Sequence, residues 1–358
     1  MKQPINLTIA TDIDGMGGIA TVLNVYRECG FFSKWNIRLI PTHSSKKALF
    51  GLNRLFLYLF ALLKVAAYQL FCNVGLVHIH MASRGSYLRK SLLVRLVKSL
   101  GGKVILHLHG AEFRDFYSKE CNKNKQNQIK NTFEMADAVI VLSTQWLLWA
   151  KETLNRSEHV LVIYNAVPSL QVNHTKSVPG LVVFLGRIGH RKGAIDLIRT
   201  FAHVKTVCPY ARLALAGDGD IDTAKIEAES LGLLDSVDFL GWISGSDKEE
   251  LLSRADLYCL PSYNEGFPMG VLEAMSAGVP IVASRAGGIP DAIEHKKEGL
   301  LIDAGDIDGL AQALITVIDN RQMNAEYARA GNQKFQENFS LDAVIPQLDA
   351  LYSKLLNS

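Results

Sequence analysis

Pro261-Ser262-Tyr263-Asn264-Glu265-Gly266-Phe267-Pro268-Met269-Gly270-Val271-Leu272-Glu273-Ala274-Met275-Ser276-Ala277-Gly278-Val279-Pro280 joins two short apolar runs, Leu257–Leu260 and Pro280–Ala283. Each run is bounded by turn residues and reads as a buried strand. Between them a glycine-punctuated loop passes into a run of helix formers, so the whole is one βαβ unit of a parallel sheet. Glu265 falls in the loop and Glu273 about one turn into the helix. The helix start near Met269 and Gly270 presents N–H groups without intrahelical partners, a natural seat for a phosphate. One carboxylate in the loop and one on the helix can hold the two hydroxyl-rich ends of a nucleotide sugar.

The same alternation extends outward from this unit. Upstream, strand Leu181–Leu185 leads through Gly186-Arg187-Ile188-Gly189-His190-Arg191-Lys192-Gly193 to a helix at Ala194–Val207. Further strands are expected at Arg212–Ala216, Val237–Leu240 and Gly299–Ile302. Arg187 and Lys192 flank a glycine loop and can turn toward one diphosphate, Arg by a bidentate fork and Lys as a point charge. In isolation the run also reads as a solvated basic turn. The polar segment between Pro168 and Pro179 lacks helical periodicity and is read as a linker. Before it, strands are expected at Ile5–Ala10, Ile37–Ile40, Leu76–His80, Lys103–His109, Ala138–Leu142 and Val160–Ile163. The organisation expected is therefore α/β, with domains over 1–168 and 180–340, a linker over 169–179, and a helix over 341–358 that returns to the first domain. Two Rossmann-like halves place a ligand in a central cleft facing the strand C-terminal ends.

A length of 358 residues fits two domains, and 48% hydrophobic with 20% charged residues excludes a disordered chain. Five scattered cysteines form neither a disulfide framework nor a zinc pattern, and the first residues lack a signal peptide, so a cytoplasmic protein is expected. The net charge of +3 hides an asymmetry: residues 1–168 hold 21 Lys+Arg against 10 Asp+Glu, and the remainder 17 against 25. A basic half points to an anionic partner such as a membrane surface or a phosphorylated acceptor, or it is an idle imbalance between solvated faces. Nucleic acid is disfavoured, since no recognised motif with interleaved aromatics is present.

In the basic half, Asp12-Ile13-Asp14-Gly15-Met16-Gly17-Gly18-Ile19-Ala20 follows a strand and opens a helix. It fits a dinucleotide fingerprint, but Ile40-Pro41-Thr42-His43-Ser44 lacks the acidic residue that would hold a ribose, so NAD is disfavoured. The loop is read as a phosphate approach or as a tight turn only. His78 with His80, and His107 with His109, each share one face of a strand. Such pairs can bind metal, but no carboxylate or cysteine accompanies them at ligand spacing, and no metal or cofactor is expected. The apolar segment Leu52–Phe71 is interrupted by Arg54, Lys64 and Gln69. It is read as a helix covering the sheet, as an amphipathic helix lying on a membrane, or as a span, the last disfavoured by Lys64 near its centre. Arg84, Arg89, Lys90, Arg95 and Lys98 are expected to form a second basic surface.

Glu265 and Glu273 match the E-x7-E motif, and their surroundings resemble retaining glycosyltransferases of family 4 with the GT-B fold. The resemblance is strong from Gly186 to Asp291 and weaker, though ordered, in the first half. It implies that Glu265 contacts the transferred sugar and Glu273 the ribose. Arg187 and Lys192 hold the diphosphate, with Gly17 and Gly18 approaching from the opposite domain. Asn264, Gly266, Phe267, Pro268, Met269 and Gly270 complete the donor side, and Trp242 and Ile243 border the nucleobase. His109 matches the histidine that reaches the donor sugar near the reacting centre, while His80 and Arg84 are assigned to the acceptor side. The activity implied is metal-independent transfer from a UDP- or GDP-linked sugar to a glycan acceptor; the basic half and the apolar segment Leu52–Phe71 add the expectation that this acceptor is linked to lipid, as in bacterial surface-polysaccharide assembly. The protein is then peripheral on the inner face of the plasma membrane. The competing readings are a nucleotide-sugar epimerase or hydrolase of the same architecture and a non-catalytic nucleotide- or carbohydrate-binding protein. Lys297-Glu298-Gly299 departs from the family's usual Asn-Gly turn, which touches only that loop.

Overall fold

Among the described residues, twelve strands form two parallel sheets of six. The structure is a computed structural model that describes residues 4–15, 17–43, 52–170, 172 and 176–358, the side chains of 52–54 excepted. Met16, Ser44, the Arg54 side chain, and Gln171 with 173–175 of the expected linker lie outside them. The chain divides into two compact units, Met1–Ala166 with Val344–Ser358, and Val167–Ala343. The closing helix, Leu341–Asn357, thus adds most of its length to the first unit.

In the first unit the strands are β1 (Ile5–Ala10), β2 (Ile37–Pro41), β3 (Val74–Met81), β4 (Val104–Leu108), β5 (Ala138–Val141) and β6 (Val160–Val162). Their order is β2-β1-β3-β4-β5-β6. β3, β4 and β5 are buried on both faces over most or all of their length, which is why they read as continuous Val/Ile/Leu runs rather than as alternation. The closing helix buries Val344, Leu348, Leu351 and Tyr352. Its Asp349 accepts hydrogen bonds from Lys34 Nζ at 2.7 Å and Trp35 Nε1 at 2.6 Å.

Helix Leu52–Phe71 packs on this sheet through Tyr58, Ala61 and Val65. It also presents Leu55, Phe56, Leu59, Phe60 and Leu63 to the outside, with Phe60 62% and Leu63 70% exposed. It is therefore a covering helix with a second apolar face. No helix of the described residues is long and apolar enough to cross a membrane. The neighbouring helix Gly85–Ser99 exposes Leu88 and Leu92 in turn.

The expected basic surface on that helix is corrected by the structure. Lys90 is only 2% exposed, because its stem runs into the sheet core and its ammonium group bonds Ala10 O and Thr42 Oγ1. Lys98 pairs with Asp137 at 2.9 Å, and Arg84 is held by Glu112 and Glu120. Of the five, Arg95 stands exposed without an ion pair among the described residues.

The second unit contains β7 (Leu181–Leu185), β8 (Arg212–Ala216), β9 (Val237–Gly241), β10 (Leu257–Leu260), β11 (Ile281–Ser284) and β12 (Gly299–Ile302), in the order β12-β11-β10-β7-β8-β9. In both sheets the order reverses once, at β1/β3 and at β7/β10. The loops leaving the two strands at a reversal run to opposite sides and open a crevice at the strand C-terminal ends. At the second reversal, Gly193 has φ +69°, and a Cβ there would lie 2.1 Å from the carbonyl oxygen of Pro261. Only glycine lets the loops after β7 and β10 close on each other there.

Gly193→Ala should lower the unfolding free energy by more than the roughly 1–2 kcal/mol of left-handed strain alone. A thermal midpoint unchanged from wild type would contradict this close approach.

Candidate functional site

The crevice at the β7/β10 reversal gathers most of the residues singled out from the sequence. Lys192 Nζ lies 2.6 Å from Glu265 Oε1, and Ser262 Oγ donates to the same oxygen at 2.7 Å. Glu265 is 5% exposed, so its charge depends on these two donors. The loop is clamped on both sides. Arg191 donates to Asn264 O at 3.1 Å, and Gly288 N donates to Gly266 O at 3.0 Å. Gly287, at φ +55°, passes so close that a Cβ would lie 1.8 Å from Glu265 O.

Glu273 sits on helix Met269–Ser276 and accepts from Lys248 Nζ at 2.5 Å. Burial pushes the Glu273 carboxyl above its ordinary range, with Lys248 pulling the other way. Gly270 leaves room at the helix start: a Cβ there would meet the Tyr258 hydroxyl at 2.5 Å. Arg187 is exposed and makes only a loose pair with Asp218 at 3.5 Å, which an arriving anion can displace. Trp242 is exposed and Ile243 half-buried just beyond β9. Met269 is half-buried, whereas Phe267 and Pro268 are buried, Phe267 packing against Phe339 with ring centroids 5.3 Å apart. Phe267 and Pro268 would therefore meet a ligand through the main chain. Lys248 and Ser262 were not singled out from the sequence. Lys248 lies 25 residues from its partner on another helix, while the Ser262–Glu265 spacing of three was a readable signal.

The first unit carries a separate group. The register His80↔His107 and the alternation of β3 and β4 stack His78, His80 and His107 on one face, with His109 just past β4. Tyr352 bonds His78 Nδ1 at 2.9 Å, His78 Nε2 meets His107 Nδ1 at 3.2 Å, and His80 Nδ1 meets His109 Nε2 at 2.8 Å. His80 Nε2 and His107 Nε2 are buried without a partner. Burial holds all four imidazoles well below their usual range, His78 and His109 at about 3, so at neutral pH they are uncharged. His109 is thus a neutral hydrogen-bonding group. One nitrogen each of His78, His80 and His107 lies within 4.8 Å of the others. Both nitrogens of His78 are already bonded, and metal ligation at about 2.0–2.1 Å would require breaking one of those bonds and tilting the stacked rings. His80 also lines a cavity with Gly17 and Gly18, whereas Arg84 does not reach it.

Residues 170–334 match the family described as Glycosyl transferases group 1. Over 299 residues the chain is 25% identical to N-acetyl-alpha-D-glucosaminyl L-malate synthase of Bacillus anthracis, covering 79% of this chain and 76% of that protein. It is 33% identical to D-inositol 3-phosphate glycosyltransferase of Corynebacterium jeikeium over 49% of this chain, spanning only 43% of that relative's length. Anabaena HepE in complex with UDP-glucose superposes with a TM-score of 0.77 at 20% identity, over 98% of this chain and 100% of that one. This likeness establishes the fold, GT-B, as expected from the sequence. The relatives support a glycosyltransferase in the broad sense.

The histidine group predicts an acid-labile fold. The unfolded chain takes up protons from pH 6.5 downward, while folded His78 and His109 refuse them until about 3. Their contribution is intact above pH 6.5 and lost as the pH falls from there toward 3, each group costing roughly 1.4 kcal/mol per pH unit. His78→Gln should flatten the fall of the urea midpoint between pH 6.5 and 4. An unchanged slope would rule out His78 as a contributor.

Proposed function

We propose that the protein transfers a sugar, with retention of anomeric configuration, from a UDP- or GDP-linked donor to a glycan acceptor. The observation that carries this reading is the pair of buried carboxylates eight positions apart after β10, Glu265 held by Lys192 from the loop after β7 and Glu273 by Lys248 from the helix after β9. Glu273 receives the ribose hydroxyls and Glu265 orients the transferred sugar. Arg187 and Lys192 take the diphosphate, aided by the start of helix Met269–Ser276. The bond from the anomeric carbon to the diphosphate breaks, and the acceptor hydroxyl forms its bond on the same face. The hydroxyl proton passes to the leaving diphosphate oxygen, and the cations stabilise the charge that develops there. His109, a neutral imidazole, serves as a hydrogen-bonding group toward the donor sugar. The group needs no metal in this reading, because two cations already neutralise the leaving group.

A second part of the proposal concerns location. Leu55, Phe56, Leu59, Phe60 and Leu63, with Leu88 and Leu92 on the next helix, leave an apolar face uncovered on the basic half of the chain. A face of this kind suits a peripheral position on an anionic membrane and a lipid-linked acceptor, as in surface-polysaccharide assembly.

The two glutamates should separate kinetically. Glu273→Gln should mainly raise the donor KM, and Glu265→Gln should mainly lower kcat, by roughly 10²-fold if the contact forms in the transition state. The same phenotype in both would overturn the division of roles. Proton NMR of the first-formed product should show the donor's anomeric configuration, whereas turnover of donor without acceptor would favour the epimerase or hydrolase.

For the membrane, co-sedimentation with phosphatidylglycerol vesicles should fall when Phe56, Phe60 and Leu63 are changed together to Ser. Binding that persists in this variant, or is absent in wild type, would remove lipid from the reading.

A further inference from the structure

The β1/β3 reversal opens a second crevice, a cavity of about 270 Å³ built wholly from the first unit. Its wall contains the start of helix Gly18–Glu28, whose first turn holds no acidic residue. Facing it are His80, Ser86, Arg89 and Lys90, and among the described residues that line it none carries a carboxylate. Lys90 is 2% exposed, and two of its three N–H bonds go to Ala10 O and Thr42 Oγ1, leaving one for a ligand. His80 is 1% exposed, and its Nε2 has no partner. A buried ammonium, the half-buried Arg89 and the start of a helix around one void describe an anion site rather than a packing defect.

We propose that this cavity binds a phosphate or diphosphate group carried by the acceptor. The proposal rests on the glycosyltransferase reading and names the acceptor's chemistry. A phosphate has the tetrahedral set of acceptor oxygens that Lys90, Arg89 and the backbone N–H groups of Gly17 and Gly18 can share, whereas a neutral sugar would bring no negative charge to the buried Lys90 ammonium. Burial first, and Arg89 second, pull the Lys90 ammonium down to about 7, and a bound anion would restore its charge. The donor's own diphosphate is the competing source, since Gly17 and Gly18 were expected to approach it. Lys90 and Arg89 belong to the first unit, whereas the cations assigned to the donor, Arg187 and Lys192, belong to the second.

The test uses the full chain and inorganic pyrophosphate as probe, titrated calorimetrically with UDP or GDP, whichever binds, held at saturation. Pyrophosphate should still bind, and Lys90→Met should weaken it about tenfold or more while leaving nucleotide affinity within about twofold. Arg89→Gln, on the half-buried part of the wall, is the second variant should Lys90→Met fail to fold. Lys192→Met should do the reverse, weakening the nucleotide and sparing pyrophosphate. Displacement of pyrophosphate by glucose 1-phosphate would identify a soluble phosphorylated acceptor, and displacement by farnesyl diphosphate in vesicles a lipid-linked one. Displacement by neither, or no binding beside the nucleotide, would overturn the proposal. So would parallel loss of pyrophosphate and nucleotide affinity in the Lys90 and Arg89 variants, which would return the cavity to the donor. Failure of both nucleotides to bind wild type would instead count against the glycosyltransferase reading itself.

Discussion

Everything functional in this chain depends on one topological constraint: each parallel sheet reverses its strand order once. From β7 the chain builds outward to β8 and β9, then returns across the sheet to place β10 on the other side. Neighbouring loops at the strand ends therefore diverge only there, and backbone N–H groups and side chains can face a void without breaking the sheet's own hydrogen bonds. The first unit repeats the geometry at β1 and β3. The Lys192–Glu265 pair stands at one reversal and the Lys90–His80 cavity at the other, so the location of both sites follows from connectivity, and their chemistry from the residues at those few positions.

The electrostatics of the two glutamates follow from their depth. A buried carboxylate is stable only with partners, and removing one partner from a buried pair costs more than the pair contributes. Lys192 and Ser262 answer Glu265, and Lys248 answers Glu273. These bonds hold both side chains in place before a ligand arrives. In the proposed reaction, sugar hydroxyls then bond the carboxylate oxygens without a separate ordering cost. Arg187 is the opposite case, exposed and loosely paired, so in the proposed reaction its ordering would accompany ligand binding.

The sequence made the strands legible because parallel strands buried on both faces read as short Val/Ile/Leu runs, and all twelve are found within a few residues of their expected places. Glu265, Glu273 and Lys192 were legible because loop, helix start and spacing carry the signal locally. Lys248 was not, because its pairing with Glu273 joins two helices and no local pattern encodes it. The basic surface expected around Arg84–Lys98 failed for a related reason. A count of charges says nothing of where each side chain points, and packing turned Lys90 inward while carboxylates on other elements, Asp137, Glu112 and Glu120, tied down Lys98 and Arg84. The histidine stack needed the β3/β4 register, which alternation within one strand cannot supply.

Helix Gly85–Ser99 shows how one element serves two purposes. Ser86 and Lys90 are four residues apart and line the cavity, whereas Leu88 and Leu92, two positions on from each, lie roughly 200° around the helix and are exposed. The face that reads as lipid-directed and the face that reads as phosphate-directed thus share a backbone, with about one helix diameter, roughly 10 Å, between them. That is the scale on which a phosphate lies beside the acyl boundary of a membrane, where apolar helix faces settle some 5–10 Å deep. A chain bound through Phe56, Phe60 and Leu88 would carry its cavity at headgroup depth. A phosphate attached to lipid could then reach Lys90 without leaving the interface. The burial of Lys90, which removes it from the surface charge, would make such an arrangement chemically specific, since a solvated lysine would attract any anionic headgroup and discriminate none.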